Sequence, residues 1–306
     1  MDSVDGEEKF DECLKSIKEK LSAVPLAIQF PIGAGRDLKG VVDIIEQKAH
    51  YFQLGDKNEN YQTKEIPQPL LEKTKKFRQE LIDKIVEQDE AIAMKYLEGQ
   101  ELSVEEVKKL LRQATLTGKY FPVFCGSAYK HVGVKLVLDG VVDYLPSPLD
   151  VKEIPVYSPH DKTKSELVNC NSPLPCLALA FKIVVDNYNN KLTFFRVYAG
   201  KVSANSYVYN VNQDKRERIS RLVRMHADNK EEVKEVGAGD IAAAIGLEQT
   251  ITGDTFGEEK KPLLLETINF AEPVISQAIE PKTNEDKDKL RTALEKLRIQ
   301  DPSFKY

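Results

Sequence analysis

The hydrophobic positions of this chain follow two patterns, one typical of helices and one typical of short strands. In the first half, apolar residues recur every three or four positions, which predicts amphipathic helices. The region 67–97 carries one such face, and Ser103 with Glu106 has the spacing of a capping box in front of another. The apolar positions of the two faces are Phe77, Leu81, Ile82 and Ile85, then Val107, Leu110, Leu111 and Ala114.

Residues 26–60 have the character of strands and turns. The run 26–31, LAIQFP, predicts one strand, and 40–53 predicts a hairpin-like region with loops at 33–35 and 55–60. Gly33 and Gly35 resemble the start of a dinucleotide-binding fingerprint. The next glycine is Gly40, however, so the spacing is wrong for that motif and the sequence does not predict a dinucleotide site here.

The stretch 119–148 predicts a strand, a loop and a helix in succession. Phe121 to Phe124 is a short apolar run that suits a buried strand of a parallel sheet. Small residues follow at 125–128, and prolines at 146 and 148 end the helix. Ligand sites of α/β proteins lie in such loops, at the carboxyl end of a strand. A loop that merely connects is the alternative, and it is favoured when this stretch is taken alone. The helix is predicted from Val134, Val137, Leu138, Val141 and Leu145.

The composition changes after Pro148. The segment 152–175 is polar and contains prolines, which predicts a linker and loop region. Short strand-like runs with turn signals between them then predict a closed β-barrel. The runs are 177–185, 192–198, 206–211, 218–225 and 240–246. After them, 273–280 is a strand candidate, and Thr283 can cap a helix whose apolar face is Leu290, Ala293, Leu294 and Leu297.

Composition and charge narrow the function classes. A length of 306 residues favours two or three domains, and 41% hydrophobic with 30% charged residues is ordinary for a globular protein. The net charge of -5 means that contact with nucleic acid requires a local basic patch. Four cysteines without a CxxC motif suit the reduced thiols of a cytoplasmic protein, and the four scattered histidines predict no metal site. An acidic start and the lack of a long apolar run predict neither a signal peptide nor a membrane partner.

Five basic residues lie within ten positions of the predicted barrel. Basic side chains on a barrel strand can bind phosphates, although no aromatic residue interleaves with them to stack on bases. The alternative is that they pair with nearby acids, and without other information this alternative is favoured. The basic residues are Lys215, Arg216, Arg218, Arg221 and Arg224, and the acids are Glu217, Asp228, Glu231, Glu232 and Glu235.

Several stretches resemble one family. CGSAYKHVGVKLVLDGVVDYLPSPLD is similar to the last strand, guanine loop and final helix of the GTPase domain of elongation factor G, and PIGAGRDLKGVVDIIEQKAHYF is similar to the insertion in that domain. LTFFRVYAGKV, KRERISRLVRMHADNKEEVKEVGAGDIAAAIGL and TGDTF resemble domain II, and the last segment resembles the opening of domain III. Release factor three and the tetracycline-resistance ribosomal protection proteins are relatives, with a less extensive likeness.

The resemblance implies a multidomain fold of α/β and all-β parts. Residues 1–150 correspond to the C-terminal part of a P-loop GTPase-type α/β domain, with an α/β insertion at about 31–118. Residues 151–268 correspond to the β-barrel domain II, and 269–306 to the start of a ferredoxin-like α+β domain III. The expectation is therefore an internal segment of the factor, which begins inside an Asn-Lys-x-Asp motif and ends within domain III.

The resemblance also implies a guanine site. Ser127 and Ala128 match the loop whose backbone amide meets the guanine carbonyl, and a backbone donor between small residues is easy to reach. Met1-Asp2 matches the end of the Asn-Lys-x-Asp motif, so Asp2 corresponds to the carboxylate that binds guanine. For the 306 residues alone, without the rest of the motif, the favoured interpretation of Asp2 is a flexible acidic residue at a frayed terminus. The resemblance makes phosphate binding and ion pairing about equally expected for the basic run, since domain II faces the ribosome.

The implied function is that of a cytoplasmic translation elongation factor that uses GTP hydrolysis to drive ribosomal translocation of tRNA and mRNA. Its partners would be ribosomal RNA and ribosomal proteins, not DNA. GTP or GDP with Mg²⁺ would serve the whole factor. The 306 residues contain no G-x-x-x-x-G-K-[ST] loop, so they are expected to bind no cofactor and to be inactive alone, and no catalytic residue is assigned. The alternatives are a ribosome- or RNA-binding module that acts without nucleotide, and a truncated product without activity.

Overall fold

The computed structural model describes residues 1–6, 8–53, 60–150, 153–159, 161–186, 190–227, 229–266 and 268–306. The chain forms two compact units, Met1–Pro146 and Ser147–Tyr306. The first unit mixes helices with two small sheets, and the second is built mainly on a large antiparallel sheet. No helix within the described ranges is long and apolar enough to cross a membrane.

The helices of the first unit confirm the predicted helical faces. They are α1 (Glu8–Leu21), α2 (Leu71–Ile85), α3 (Glu90–Leu97), α4 (Val104–Leu116) and α5 (Val134–Tyr144). Asp89 divides the predicted region 67–97, because its side chain accepts hydrogen bonds from the first N–H groups of α3. The capping box of α4 is present: the N–H of Glu106 donates to Ser103 Oγ over 3.2 Å, and the N–H of Ser103 donates to Glu106 Oε2 over 3.0 Å.

The strands of the first unit form two sheets. They are β1 (Val24–Ala27), β2 (Gln29–Ile32), β3 (Gly40–Asp43), β4 (Lys48–Phe52), β5 (Tyr61–Lys64) and β6 (Tyr120–Val123). β1 and β6 pair in parallel, and β2-β3-β4-β5 is antiparallel, so the predicted hairpin at 40–53 is confirmed. The single strand predicted at 26–31 is wrong, because the chain changes sheet at Ile28. Its N–H donates to Val123 of β6, and its carbonyl accepts from Ile44 after β3. Most of the predicted loop at 55–60 lies outside the described residues.

The core of the first unit forms where α2 and α4 meet the sheets. Leu81, Ile82 and Ile85 of α2 are buried, and so are all four predicted positions of α4. Two predicted apolar surfaces are not buried. Phe121 on β6 is 47% exposed and Leu138 on α5 is 60% exposed. Within the described residues β6 pairs with β1 alone, and α4 packs against it, so the exposed Phe121 and Leu138 lie outside the core.

The strands of the second unit run almost entirely antiparallel. They are β7 (Ile154–Ser158), β8 (Asp161–Val168), β9 (Cys176–Val185), β10 (Lys191–Ser203), β11 (Tyr207–Asn210), β12 (Lys215–Arg218), β13 (Arg221–His226), β14 (Asn229–Val233), β15 (Glu235–Gly237), β16 (Ile241–Ile245) and β17 (Thr255–Gly257). The large sheet has the order β12-β11-β17-β9-β10-β16-β13-β14, with β15 on β10. Phe195 and Phe256 meet edge to face in its core. This strand path is open among the described residues, so the closed barrel stays a prediction.

Two segments of the second unit differ from the prediction. The linker and loop at 152–175 is largely wrong, because β7 and β8 form a hairpin there and bury Val156 and Val168. Ser165, Glu166 and Leu167 of β8 are all exposed, so the sequence there does not show the alternation of a half-buried strand. The single strand predicted at 218–225 is also wrong. It is two strands, and the chain turns between them at Ser220, whose N–H donates to Ile245 over 2.8 Å.

The C-terminal segment follows its prediction in part. The strand predicted at 273–280 is wrong, since the segment forms no strand and Val274 and Ile275 are 93% and 85% exposed. Helix α6 (Asn284–Gln300) is present, and Thr283 caps it by accepting from the N–H of Asp286 over 3.2 Å. Leu297 on its apolar face remains 48% exposed. The helix is therefore present without a buried face of the kind that α4 has.

Candidate functional site

The loop between β6 and α5 is folded tightly on itself. The N–H of Ser127 donates to the carbonyl of Val132 over 3.0 Å, and the N–H of Val132 donates back to Ser127 over 2.9 Å. Gly126 is required at its position, because a Cβ there would lie 2.3 Å from the carbonyl oxygen of Val132. The loop therefore holds one shape before any ligand is present.

The first two residues of the chain lie against this loop. The amino group of Met1 donates to the carbonyl of Gly126 over 2.9 Å, and the N–H of Gly35 donates to the carbonyl of Met1 over 2.9 Å. The Asp2 side chain is 24% exposed. The backbone N–H of Asp2 lowers the pKa of its own carboxyl, and a hydrogen bond from the Ser127 hydroxyl lowers this pKa further. Met1 is therefore held by two hydrogen bonds, and the Asp2 carboxyl lies near Ser127.

Ala128 presents a free donor on the same loop. The residue is exposed, and its N–H has no hydrogen-bond partner within the described ranges. Its carbonyl is occupied, because it accepts from the N–H of His131 over 3.2 Å. A fixed carboxylate and an exposed backbone N–H can together accept from and donate to the edge of a purine that carries both N–H groups and a carbonyl. The structure thus brings Asp2 and Ser127 into contact and leaves the Ala128 donor accessible on the same loop.

Sequence reasoning missed the part of Lys130 in this site. Its ammonium donates to the carbonyl of Gly35 over 2.6 Å, and its N–H donates to Ser127 Oγ over 3.1 Å. Lys130 thereby links the 126–128 loop to the loop after β2. A lysine three residues after a serine is a common pattern, so the sequence alone could not predict that Lys130 links the two loops.

The basic run of the second unit covers two strands. Lys215, Arg216 and Arg218 lie on the edge strand β12, whereas Arg221 and Arg224 lie on β13. We call these five residues the basic patch. All are exposed except Arg224, which is half-buried. Their positions on two non-adjacent strands give a patch that is broader than a single strand would give.

Of the acids that the sequence offered as partners for the basic patch, Glu232 forms an ion pair with it, and two other pairs use acids from elsewhere. Arg221 pairs with Glu232 over 3.3 Å, as the pairing alternative predicted. Arg216 pairs with Glu259, and Arg224 lies 3.7 Å from Asp240, which are acids from more distant strands and loops. Exposed pairs of this kind contribute about 0–1 kcal/mol each, so phosphates can compete for these guanidinium groups. Asp228 lies outside the described residues.

Among the described residues, Arg218 and Lys215 have no acidic partner. The Arg218 side chain has no hydrogen-bond or ion-pair partner in the part of the chain that the structure describes. Lys215 donates to the neutral side chain of Gln249 over 2.6 Å. Glu217 precedes Arg218, projects to the opposite face of β12 from it, and is only 8% exposed. It accepts from Thr250 and from the N–H of Gln249.

Sequence reasoning also missed two tyrosines beside the basic patch. Tyr207 lies directly opposite Arg218 in the β11–β12 ladder, and Tyr209 lies opposite Arg216. The Tyr207 ring is 69% exposed. Directly opposite residues of an antiparallel pair project from the same face of the sheet, so aromatic rings do accompany these two arginines. The alternation Tyr-Val-Tyr in β11 does show in the sequence that both tyrosines lie on one face. Only the register of β11 with β12 shows that this face carries the two arginines.

Comparison with known proteins shows that the chain is similar to translation elongation factors. Family models match residues 190–257 (Elongation factor Tu domain 2) and 270–306 (Elongation Factor G, domain III). Over 97% of its length the chain is 43% identical to elongation factor G of Mycoplasma pneumoniae, of which it covers 43%. The crystal structure of a Thermus thermophilus protein matches with a TM-score of 0.75 and 26% identity, over 96% of this chain and 41% of that one. The chain spans less than half the length of either protein.

Proposed function

The chain belongs to the elongation factor G family, and we propose that it is part of a translation factor that uses GTP hydrolysis to move transfer RNA and messenger RNA through the ribosome. The observation that carries this proposal is the unbroken similarity to an elongation factor G along 97% of the chain. In this proposal residues 1–150 form the C-terminal part of a GTPase domain, with its insertion at about 31–118. Residues 151–268 form the barrel domain II, and 269–306 open a ferredoxin-like domain III.

Three observations support this division. The compact units meet between Pro146 and Ser147, close to the proposed end of the first domain. The two family models fall inside the proposed second and third domains. The parallel pair β1–β6 followed by α5 is the strand–loop–helix arrangement of a nucleotide-binding α/β domain.

In the whole factor, Asp2, Ser127 and Ala128 would contact guanine. The Asp2 carboxylate would accept from the N–H groups of the base, and the free N–H of Ala128 would donate to its carbonyl. Ser127 would help to keep Asp2 ionised, because its side chain lowers the pKa of that carboxyl. The phosphates and Mg²⁺ would be bound by residues outside these 306, and no catalytic role is assigned to any residue here.

The basic patch would contact phosphates of ribosomal RNA. Binding to ribosomes, measured by co-sedimentation of the 306-residue chain at several salt concentrations, tests this proposal. The triple change Arg218→Ala, Arg221→Ala and Arg224→Ala is expected to weaken binding and to reduce the salt slope by about one for each lost phosphate contact. A matched control replaces three exposed lysines of α1, at positions 15, 18 and 20. If both variants and the unchanged chain had equal salt slopes, the proposal that the basic patch contacts phosphates would be contradicted.

A nucleotide-independent ribosome- or RNA-binding module is the second candidate. The observation that favours it is the location of the basic patch in the second unit, whereas Asp2, Ser127 and Ala128 lie in the first. Co-sedimentation in the presence and absence of a non-hydrolysable GTP analogue separates the two. Binding that is equally strong without nucleotide supports the module. Binding that requires the longer factor and its nucleotide supports the GTPase.

A further inference from the structure

The loop after β2 contacts both segments of the proposed guanine site through the backbone of Gly35. The N–H of Gly35 donates to the carbonyl of Met1 over 2.9 Å, and its carbonyl accepts from the ammonium of Lys130 over 2.6 Å. Met1 directly precedes Asp2, and Lys130 follows Ala128 in the loop before α5. Gly35 therefore bridges the segment that carries the carboxylate and the segment that carries the exposed backbone donor.

The bridging loop has a defined backbone shape. Gly35 has a φ of +57°, in the left-handed region that glycine adopts at little cost. A Cβ at Gly33 would lie 2.1 Å from the carbonyl oxygen of Asp37, so the loop closes tightly on itself. Residues 35–37 form a short helical turn within it. The loop therefore presents the Gly35 carbonyl to Lys130 in one place.

The ammonium of Lys130 serves this bridge and not an ion pair. Lys130 is half-buried, and among the described residues its ammonium has one hydrogen-bond partner, the carbonyl of Gly35. A hydrogen bond from a charged donor is roughly twice as strong as one between neutral groups. The backbone N–H of Lys130 donates separately to Ser127 Oγ over 3.1 Å. A change of the side chain at this position thus removes the bridge to Gly35 and keeps the backbone donor to Ser127.

We propose that Lys130 is a positioning residue for guanine recognition, and that it fixes the distance between the Asp2 carboxylate and the Ala128 N–H. Guanine presents N–H donors beside a carbonyl acceptor, so both protein groups must meet the same base edge at once. A bridge that holds the two groups before the base arrives lowers the ordering cost of binding. Lys130 acts through Gly35 and does not itself touch the base. This inference rests on the proposed function, because it concerns the guanine site of that proposal.

NMR titration of the 306-residue chain with guanosine monophosphate, followed at the amide resonance of Ala128, tests the inference. Half-saturation on the order of 1 mM is expected from two hydrogen bonds of this kind. Adenosine monophosphate has no carbonyl on its base edge and is expected to bind more weakly. Lys130→Met removes the ammonium and is expected to raise the half-saturating guanosine monophosphate concentration at least about fivefold and to reduce the preference for guanine over adenine. Lys130→Arg retains a cationic donor and is expected to restore most of that preference.

Lys84→Met is the matched control, because the ammonium of Lys84 also donates to a backbone carbonyl of the first unit, that of Pro25 over 3.4 Å. This variant is expected to leave the half-saturating concentration and the preference unchanged. A purely structural role of Lys130 would lower stability without changing the preference of the folded molecules. The same spectra show whether each variant is folded, and Lys130→Gln replaces Lys130→Met if the latter is not.

Two results would overturn the inference, and they differ in what they say about the guanine site. If the unchanged chain, the Lys130 variant and the control all preferred guanosine monophosphate equally, the site would stand and the role of Lys130 would be wrong. If Ala128 in the unchanged chain did not respond to guanosine monophosphate at millimolar concentrations, the guanine site and the role of Lys130 would both be wrong.

Discussion

Arg218 and Tyr207 lie directly opposite each other on the antiparallel strands β12 and β11, and both side chains are exposed. The guanidinium has no partner within the described residues, so the pair offers a free charge beside a free ring. Such a pair can bind a phosphate and the adjacent base together. The separate contributions of charge and ring can be measured, because the two respond differently to salt.

Tyr207→Ala is expected to weaken binding of single-stranded RNA without changing its salt slope. A stacked base contributes about 1–3 kcal/mol and involves no counterion release. Tyr207→Phe retains the ring and is expected to bind as the unchanged chain does. The measurement is fluorescence anisotropy of a labelled oligoribonucleotide across salt concentrations. Tyr129→Ala, at a tyrosine that is 88% exposed in the other unit, is the control. An equal loss in that variant would contradict stacking at Tyr207.

A second prediction concerns the buried polar network of the second unit. Asn210 is fully buried, and its Nδ2 donates to Asp254 Oδ2 over 2.8 Å and to Thr250 Oγ1 over 3.2 Å. Thr250 in turn donates to Glu217. Asn210 Nδ2 also lies 3.4 Å from Glu217 Oε1, so Asn210→Ala removes a buried donor to both carboxylates. The loss is expected to cost about 1.5–3 kcal/mol, the contribution of a hydrogen bond to a charged group.

Urea unfolding followed by circular dichroism measures this cost. Gln249→Ala removes an exposed side chain whose one hydrogen-bond partner among the described residues is Lys215, and it is expected to change the free energy of unfolding by less than about 0.5 kcal/mol. Equal unfolding midpoints for the two variants would show that the network contributes nothing to stability.

The buried His50 gives a prediction about how stability depends on pH. Burial lowers the pKa of His50 below its usual 6.5, although the Asp43 and Glu46 charges partly offset this. Below that pH the unfolded chain binds a proton that the folded chain does not, so stability falls as the pH falls through about 6.5. The slope is at most about 1.4 kcal/mol per pH unit.

His50→Gln is expected to remove this part of the pH dependence. The free energy of unfolding is measured between about pH 7.5 and about pH 5.5, on either side of the ordinary histidine pKa. His226→Gln changes an exposed histidine that contacts Glu231, and it is expected to keep the slope of the unchanged chain. A slope that survives in the His50 variant would assign the effect to other groups.

The sequence predicted the helices better than the strand pairings, for a physical reason. The faces of α2 and α4 are local patterns, and so is the capping box at Ser103. The change of sheet at Ile28 depends on Val123 and Ile44, which are distant in the chain. A local sequence pattern cannot predict hydrogen-bond partners that are so distant in the chain.

The candidate site shows the same limit. Asp2 and Ser127 are 125 positions apart in the sequence and neighbours in the structure, and before the structure only the resemblance to a family placed them in one site. The opposition of Tyr207 and Arg218 required the register of β11 and β12. The composition and charge of the basic run were visible in the sequence, whereas its actual ion-pair partners, such as Asp240, were not.

Helix α6 is predicted to exchange its amide hydrogens faster than α4. Helices gain most of their stability from a packed apolar face. Val107 and Leu110 of α4 are fully buried, whereas Leu297 of α6 is 48% exposed. Hydrogen exchange followed by mass spectrometry compares the two helices in one sample. Protection of α6 equal to that of α4 would contradict this prediction and would indicate that another chain covers the helix.

The last prediction concerns nucleotide binding by the 306-residue chain. The contacts available to guanine are the Asp2 carboxylate and the N–H of Ala128. Hydrogen bonds to charged groups contribute about 1.5–3 kcal/mol each, whereas micromolar affinity needs about 8 kcal/mol. The phosphate loop that supplies most of the affinity in such domains does not occur in these residues. A fluorescent GDP analogue is therefore expected to show no saturable binding at micromolar concentrations. Asp2→Ala, which removes the carboxylate near Ser127, is expected to change nothing measurable in this assay. Low-micromolar binding that Asp2→Ala abolished would show instead that the 126–128 loop and Asp2 suffice for recognition of the base.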